Sequence, residues 1–472
     1  MQFDLHNAQM FLDDALIEQQ VRLQRILHQP VKYYGNPLYE AGAPWEGHGI
    51  HYLGGVHLDP GDSLWKAWYC TINPPERPEI TFAICMIVSD DGFSWRRPDL
   101  DVYRDSDGRW TNIVLDLGKA GRTAAPTIMH DPTDESEPWT MFISLAWPAD
   151  SKEYRGYFLK SPDGVHWRWL QERPEGLRHG FHDRTTAMFD PANDPPYVII
   201  GRGKEDIYQW DLPRTAHRCR SSLTKMEPGD PTRVIVPDLE DDPTGQIYHA
   251  QGFAYEDIYV GLFQWYWEQD QPWGEMELLF SRDSVEWDRM RPRVSFLPPT
   301  SGAFDGAITE TALSPPIRTS RGANSGLSPD IETLNFYYTG GPAMHGDRHL
   351  TFGRSLGLAQ LRLDGFCSLR TGPYPGILTT KPVTWPGGSL SVNATCLGGS
   401  GNGSLRIEVL TPDLKPIPGM TRDECDPLSN DATRQIVTWS GESMMDAMAD
   451  REIRLRFHLD HYELYSFRAV DD

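Results

Sequence analysis

Five short stretches of the chain set ionisable side chains beside glycine: EGHGIHY (46–52), GRTAAP (121–126), GFHDRTT (180–186), GQIYHAQ (245–251) and GAFDGAITE (302–310). They supply the carboxylates Glu46, Asp183, Asp305 and Glu310, the imidazoles His48, His51, His182 and His249, the guanidinium groups Arg122 and Arg184, and the phenol Tyr248. Convergent carboxylates with such neighbours suit hydrolysis of a glycosidic bond. One carboxylic acid protonates the leaving oxygen, and a second carboxylate attacks or activates water. Asp183 and Asp305 are the leading pair, with Glu46 third and Glu310 able to complete the set. The imidazoles and Arg122 and Arg184 would bind sugar hydroxyls or tune the acids. Trp45 and Tyr248 offer ring faces for a sugar, and Asn112 in WTNIVL offers an amide. The competing reading of each Asp is local, because Asp beside Gly commonly bonds turn amides. The histidine spacing demands no metal, and no cofactor is expected.

These stretches can meet only if the fold brings them together, and the chain repeats itself in a way that would. SDDGFSW (89–95), SPDGVHW (161–167) and SRDSVEW (281–287) place tryptophans 72 and then 120 residues apart, while Asp59-Pro60, Asp131-Pro132 and Asp190-Pro191 each end an apolar run. Each unit reads as an apolar strand, a turn, an aromatic-rich strand, a third strand and the Ser/Asp/Gly/Trp turn. A period of 50 to 70 residues with about four strands is that of a β-propeller blade. The units start near Gly47, Arg122, His182, Tyr248 and Phe304, and the last ends near Arg370. The expectation is an all-β chain: a five-bladed β-propeller over 47–372, whose inner strands line a funnel, followed by a β-sandwich over 373–472, where SLSVNAT, GSLRIEVL and EIRLRFHLDHYELYSFRAV alternate apolar and polar residues. Residues 1–46 pack on the propeller, and Val21, Leu23 and Ile26 fit either an outer closing strand or a short amphipathic helix.

Composition narrows the partners. With 44 basic against 67 acidic residues the net charge is −23, which argues against nucleic acid or an anionic membrane surface. A carbohydrate is the expected partner, and a homo-oligomer stays open. The six cysteines show no metal-type spacing and read as reduced and mostly buried. The first twenty residues lack a basic start and an unbroken apolar core, so the cytoplasm is the expected location.

The SDDGFSWRRPDL turn, the LWKAWYC strand and AFDGAI after FSRDSVEWDRMRP resemble the five-bladed propeller glycosidases related to glycoside hydrolase families 32 and 43. The resemblance covers about residues 47 to 370, and LGLAQLRLDGFCSLRTG leading into an all-β tail is similar to those chains as well. It implies a funnel site with three acids acting on fructosides, arabinosides or related sugars. The chain departs from the pattern at the catalytic motifs. The strand His51 to Leu58 holds no acid, and HDRTT and QIYHAQ stand where the Arg-Asp-Pro and Glu-Cys motifs would be. The sequence reading is therefore a glycoside hydrolase; a non-catalytic carbohydrate-binding propeller is the alternative. So is a phosphorylase or transglycosylase on the same scaffold, with Arg122, Arg184 and Arg202 docking the anion.

Overall fold

The computed structural model describes residues 3–47, 49–72, 82–118, 122–123, 126–147, 151, 153–172, 175–203, 214–227, 231–267, 273–320, 331–343, 353–399 and 401–471. Among them the chain is all-β: many short strands, two brief 3-10 turns and no α-helix. Among the described residues no helix is long and apolar enough to cross a membrane.

Five antiparallel meanders of four main strands follow one another. The first is built from Tyr52–Leu58, Trp65–Ile72, Phe82–Ser89 and Ile113–Asp116, and the second from Thr127–His130, Trp139–Ala146, Tyr154–Ser161 and Arg168–Trp169. The third uses Thr186–Phe189, Tyr197–Arg202, Ala216–Ser221 and Thr232–Ile235, and the fourth Gly245–Tyr255, Ile258–Trp267, Trp273–Ser281 and Ser295–Leu297. The fifth takes Ile308–Thr311, Thr333–Gly341 and Ser355–Arg362, and borrows its fourth strand, Val31–Lys32, from the N-terminal segment. Strands such as Trp65–Ile72 and Trp139–Ala146 are rich in aromatic and β-branched residues and buried along nearly their whole length. Both faces of a meander are therefore covered by neighbours, which favours continuous apolar runs over alternation.

The first strands touch in cyclic order. Thr127 Oγ1 accepts the Ala187 amide at 3.1 Å, Thr186 Oγ1 donates to Ala250 O at 2.9 Å, and Gln251 Nε2 donates to Thr311 Oγ1 at 2.7 Å. The Leu313 amide then reaches Leu53 O at 3.1 Å, so the fifth meander returns to the first. Side chains that begin these strands consequently face one centre.

The repeated turn holds the meanders to one another. In each copy the Ser hydroxyl and the Asp carboxylate accept turn amides: Ser89 from Gly92 at 2.9 Å and Asp91 from Phe93 at 2.7 Å, repeated at Ser161 and Asp163. The tryptophan indoles Trp95, Trp167 and Trp287 donate to the carbonyls of Gly92, Gly164 and Ser284 at 3.0 to 3.1 Å. Two of these carbonyls also take a donor from the preceding meander: Trp68 Nε1 to Gly164 O at 2.7 Å, and Tyr337 Oη to Gly92 O at 2.9 Å. Gly92 and Gly164 sit at φ 79° and 77°, where a side chain is strained. Asp59 and Asp190 also turn out structural, bonded to Lys66 and to Arg220.

The C-terminal region forms two further sheets around a shared core that includes Trp385, Trp439, Phe457 and Phe467. Glu452–Asp460 alternates exposed and buried along its length, the pattern of a strand with one face on a core. Ile17–Val21 pairs with Gly376–Thr380, and Leu23–Leu27 pairs with Cys367–Thr371, so Val21, Leu23 and Ile26 join the C-terminal sheets as strands rather than closing the ring or forming a helix. Cys367–Thr371 pairs with Leu23–Leu27 on one side and with Tyr462–Val470 on the other. All six cysteines are free, and only Cys219 is less than buried.

Candidate active site

The centre of the ring is organised by a kink. Between Gly180 and Thr186 the chain leaves strand geometry: Arg184 adopts φ 59°, Thr185 Oγ1 donates to His182 O at 2.9 Å, and the His182 amide donates to Arg202 O at 3.1 Å. A bulky residue at positive φ costs on the order of 1 kcal/mol or more, so the surroundings must over-determine it. They do. The Arg184 guanidinium lies between the rings of Tyr52 and Tyr248, 4.3 and 4.7 Å from their centroids, and its Nη2 donates to Glu310 Oε2 at 2.9 Å.

Glu310 comes from the first strand of the fifth meander and is 1% exposed. Arg354 Nη1 reaches the same Oε2 at 3.2 Å and also donates to His51 O at 2.9 Å. Among the described residues no hydrogen bond goes to Oε1. Burial works against the charged carboxylate, but Arg184, His249 and Arg354 outweigh it and bring Glu310 down to about 2. Glu310 is therefore a permanent anion, able to attack, to accept a proton or to stabilise positive charge, and unable to serve as an acid. His249, on the first strand of the fourth meander, is buried with neither ring nitrogen bonded to protein. Burial, and next Arg184, push it down to about 3, so it stays neutral and can donate from one nitrogen and accept at the other.

Asp183 stands nearer solvent, its side chain 23% exposed. His182 Nδ1 lies 2.9 Å from Asp183 Oδ1, and Arg202 pairs with the same oxygen. The His182 ring packs 4.8 Å from Tyr154. Arg202 lies over Tyr248 at 5.0 Å, and Arg214 at 5.7 Å. Tyr248 thus joins the Glu310 cluster to the Asp183 cluster.

The structure brings Asp183, His182, Arg184, Tyr248, His249, Glu310 and the backbone of His51 together. It does not bring Asp305 or Glu46 to them. Asp305 is buried at the edge of the fifth meander, where Oδ2 accepts Lys32 Nζ at 2.5 Å and Tyr338 Oη at 2.9 Å; it holds the borrowed N-terminal strand in place. Glu46 accepts the amides of Gly42 and Ala43 at 2.8 and 2.7 Å, Tyr39 Oη at 2.7 Å, Arg97 at 3.0 Å and Tyr69 Oη, which is a full complement for a buried carboxylate. Trp45 and Asn112 belong to the same network: Trp45 Nε1 donates to Asn112 Oδ1 at 2.8 Å, and Asn112 Nδ2 donates to Tyr69 Oη at 3.0 Å. Four candidates are therefore packing residues of the first and fifth meanders. His48 lies outside the described residues, as does the side chain of Arg122, whose backbone pairs with Ala146. Tyr52 and Arg354 were not anticipated. Tyr52 stands next to His51 in a stretch already marked, whereas nothing around FGRSLG distinguishes Arg354.

No protein-family model matches the chain, and no curated protein does either. Solved structures do. The chain is similar to a glycoside hydrolase family 43 arabinoxylan arabinofuranohydrolase from Bacillus subtilis, at 12% identity over 94% of this chain and 99% of that one, with a TM-score of 0.37. It is also similar to a member of the GH130 family of mannoside phosphorylases and hydrolases, at 12% identity over 75% and 96%, TM-score 0.43. An N-acetylgalactosamine deacetylase from F. plautii matches at 14% identity over 72% and 96%, TM-score 0.47.

Proposed function

We propose that the five meanders are the blades of a propeller closed by Val31–Lys32, that the C-terminal sheets are a β-sandwich packed beside it, and that the chain is a glycoside hydrolase working at the centre of the ring. What supports this reading is that Asp183 and Glu310, from different meanders, pair with Arg202 and Arg184, and both of these arginines lie over the ring of Tyr248. Their surroundings differ, Glu310 being buried and Asp183 partly exposed, and two-carboxylate hydrolysis needs two carboxyls in unlike surroundings. Glu310 is fixed as the anion, suited to be nucleophile or base, or to hold an oxocarbenium-like centre. Asp183, closer to water and beside His182, is the group that exchanges a proton with the leaving oxygen. Neutral His249 would receive a sugar hydroxyl.

The test is sugar release from a panel of glycosides headed by fructofuranosides and arabinofuranosides, with Asp183→Asn and Glu310→Gln compared to wild type. The reading requires that wild type releases sugar and that both variants lose at least about a hundredfold in kcat. Saturable sugar binding without release from any panel member would instead favour the non-catalytic carbohydrate-binding propeller.

A further inference from the structure

The central cluster is cationic in a strongly acidic protein. Among the described residues, the guanidinium groups of Arg184, Arg202, Arg214 and Arg354 gather around two carboxylates, Asp183 and Glu310, although the whole chain carries a net charge of −23. The imidazole His249 adds no charge, since burial and Arg184 keep it neutral. Arg184 and Arg202 lie 4.7 and 5.0 Å from the centroid of one ring, Tyr248, so their centres are no more than about 10 Å apart.

The hydrogen-bond inventory points the same way. Arg184 spends Nη2 on Glu310 and Gln264, yet its Nε and Nη1 are buried with no acceptor. Arg202 pairs with Asp183 through Nη2, and its Nε is buried with no acceptor. Both nitrogens of His249 are in the same condition. Arg184 and Arg202 are 1% and 4% exposed, so water does not freely satisfy them. Leaving buried donors unmade is costly, the more so for charged groups, and such groups in a native site call for an acceptor. A guanidinium fork matches an oxyanion better than any neutral hydroxyl. Like-charge crowding supports this: burial and the nearby Arg214 help push Arg202 down to about 10, and an anion would relieve both.

We propose that the cluster of Arg184, Arg202 and His249 is an oxyanion subsite, which receives either the carboxylate of an acidic sugar or free inorganic phosphate. The proposal rests on the glycosidase reading of the same centre and deepens it by naming the charge of what is bound. An acidic sugar would place its carboxylate on the arginines. Phosphate would sit there as a separate small ligand beside the sugar.

Thermal unfolding of the full chain is followed in galacturonate, glucuronate, inorganic phosphate or sodium chloride at matched ionic strength, for wild type, Arg202→Met and Arg202→Lys. The expected result is a Tm rise of about 2 °C or more over chloride in at least one of the sugar acids or in phosphate, absent in Arg202→Met and partly kept in Arg202→Lys. A rise with the sugar acids alone assigns the sugar carboxylate, and a rise with phosphate alone assigns the free ion. No rise in any of them, or an equal rise in Arg202→Met, overturns the proposal. Hydrolysis of neutral glycosides measured in parallel reports on the glycosidase reading separately: sugar release without anion binding sinks only the oxyanion subsite.

Discussion

Arg184 and Glu310, 126 residues apart in the chain, meet at 2.9 Å with about 1% of either side chain exposed. The pair ties the kinked turn before the third meander to the first strand of the fifth, across the centre of the ring. A buried pair of this kind contributes little net stability compared with a well-packed apolar pair, but removing one member strands the other charge. Glu310→Gln is therefore expected to destabilise the protein by about 3 kcal/mol, read as a lowered urea midpoint. The double replacement Arg184→Met with Glu310→Leu should recover much of that loss while remaining inactive. A single replacement with an unchanged midpoint would show that the two charges are better solvated than their burial indicates.

Asp183 and Asp305 should part company. Asp183 is partly exposed but pairs with the buried Arg202, so Asp183→Asn is expected to cost about 1 to 3 kcal/mol while lowering kcat by about two to four orders of magnitude. Asp305 is buried against Lys32 and Tyr338, so Asp305→Asn should cost about 1 to 3 kcal/mol and leave kcat/KM within about twofold of wild type. Denaturation and steady-state kinetics on the two variants would reverse the assignment if the pattern came out the other way.

The repeat was legible because it is local. A Ser, an Asp two residues on and a Trp four beyond that make one turn, and the same hydrogen bonds recur wherever the letters do. Glu46 and Asp305 misled for the opposite reason. Both stand beside glycines at the start of a meander, as Asp183 and Glu310 do, and what separates them is long-range: Glu46 meets Arg97 and Tyr69, and Asp305 meets Lys32 from a strand 273 residues earlier. The same limit hid Arg354, whose role is set wholly by Glu310 and the His51 carbonyl. At Leu23 and Ile26 the sequence left strand and helix open and gave no partner, because alternation says that one face is buried and not against what.

The turn that joins the meanders gives a steric prediction. A Cβ on Gly164 would stand 2.5 Å from Trp68 Cζ2 at φ 77°, against backbone that also accepts the Trp68 indole. Gly164→Ala should cost about 2 kcal/mol or more, through left-handed strain and displacement of Trp68. Gly42→Ala meets nothing within 4 Å and has no positive φ, so its midpoint should stay within about 0.5 kcal/mol of wild type. Equal midpoints for the two variants would mean that the turn can slide off Trp68 without penalty.

Acid should unfold the protein well before its carboxylates are neutralised. His179 and His249 are buried and His57 is mostly enclosed, and desolvation pushes His57, His179 and His249 down to about 4, 3 and 3, below the unfolded value near 6.5. Between pH 6.5 and those values the unfolded chain binds protons that the folded chain refuses, so stability falls as pH falls, by up to about 1.4 kcal/mol per pH unit for each histidine. Glu310 adds to the loss only lower, between about pH 4.5 and 2, where the unfolded carboxyl is protonated and the folded one is not. His57 is the cleanest probe, since it is remote from the centre: it packs against Trp68 and Trp139, and its Nε2 lies 2.9 Å from Ile128 O. His57→Gln can keep that hydrogen bond but cannot titrate. Its stability should fall less steeply than that of wild type between pH 6 and 5, by about one proton's worth of slope, when urea midpoints are compared across that range. Parallel curves would mean that His57 takes up its proton in the folded protein as readily as in water.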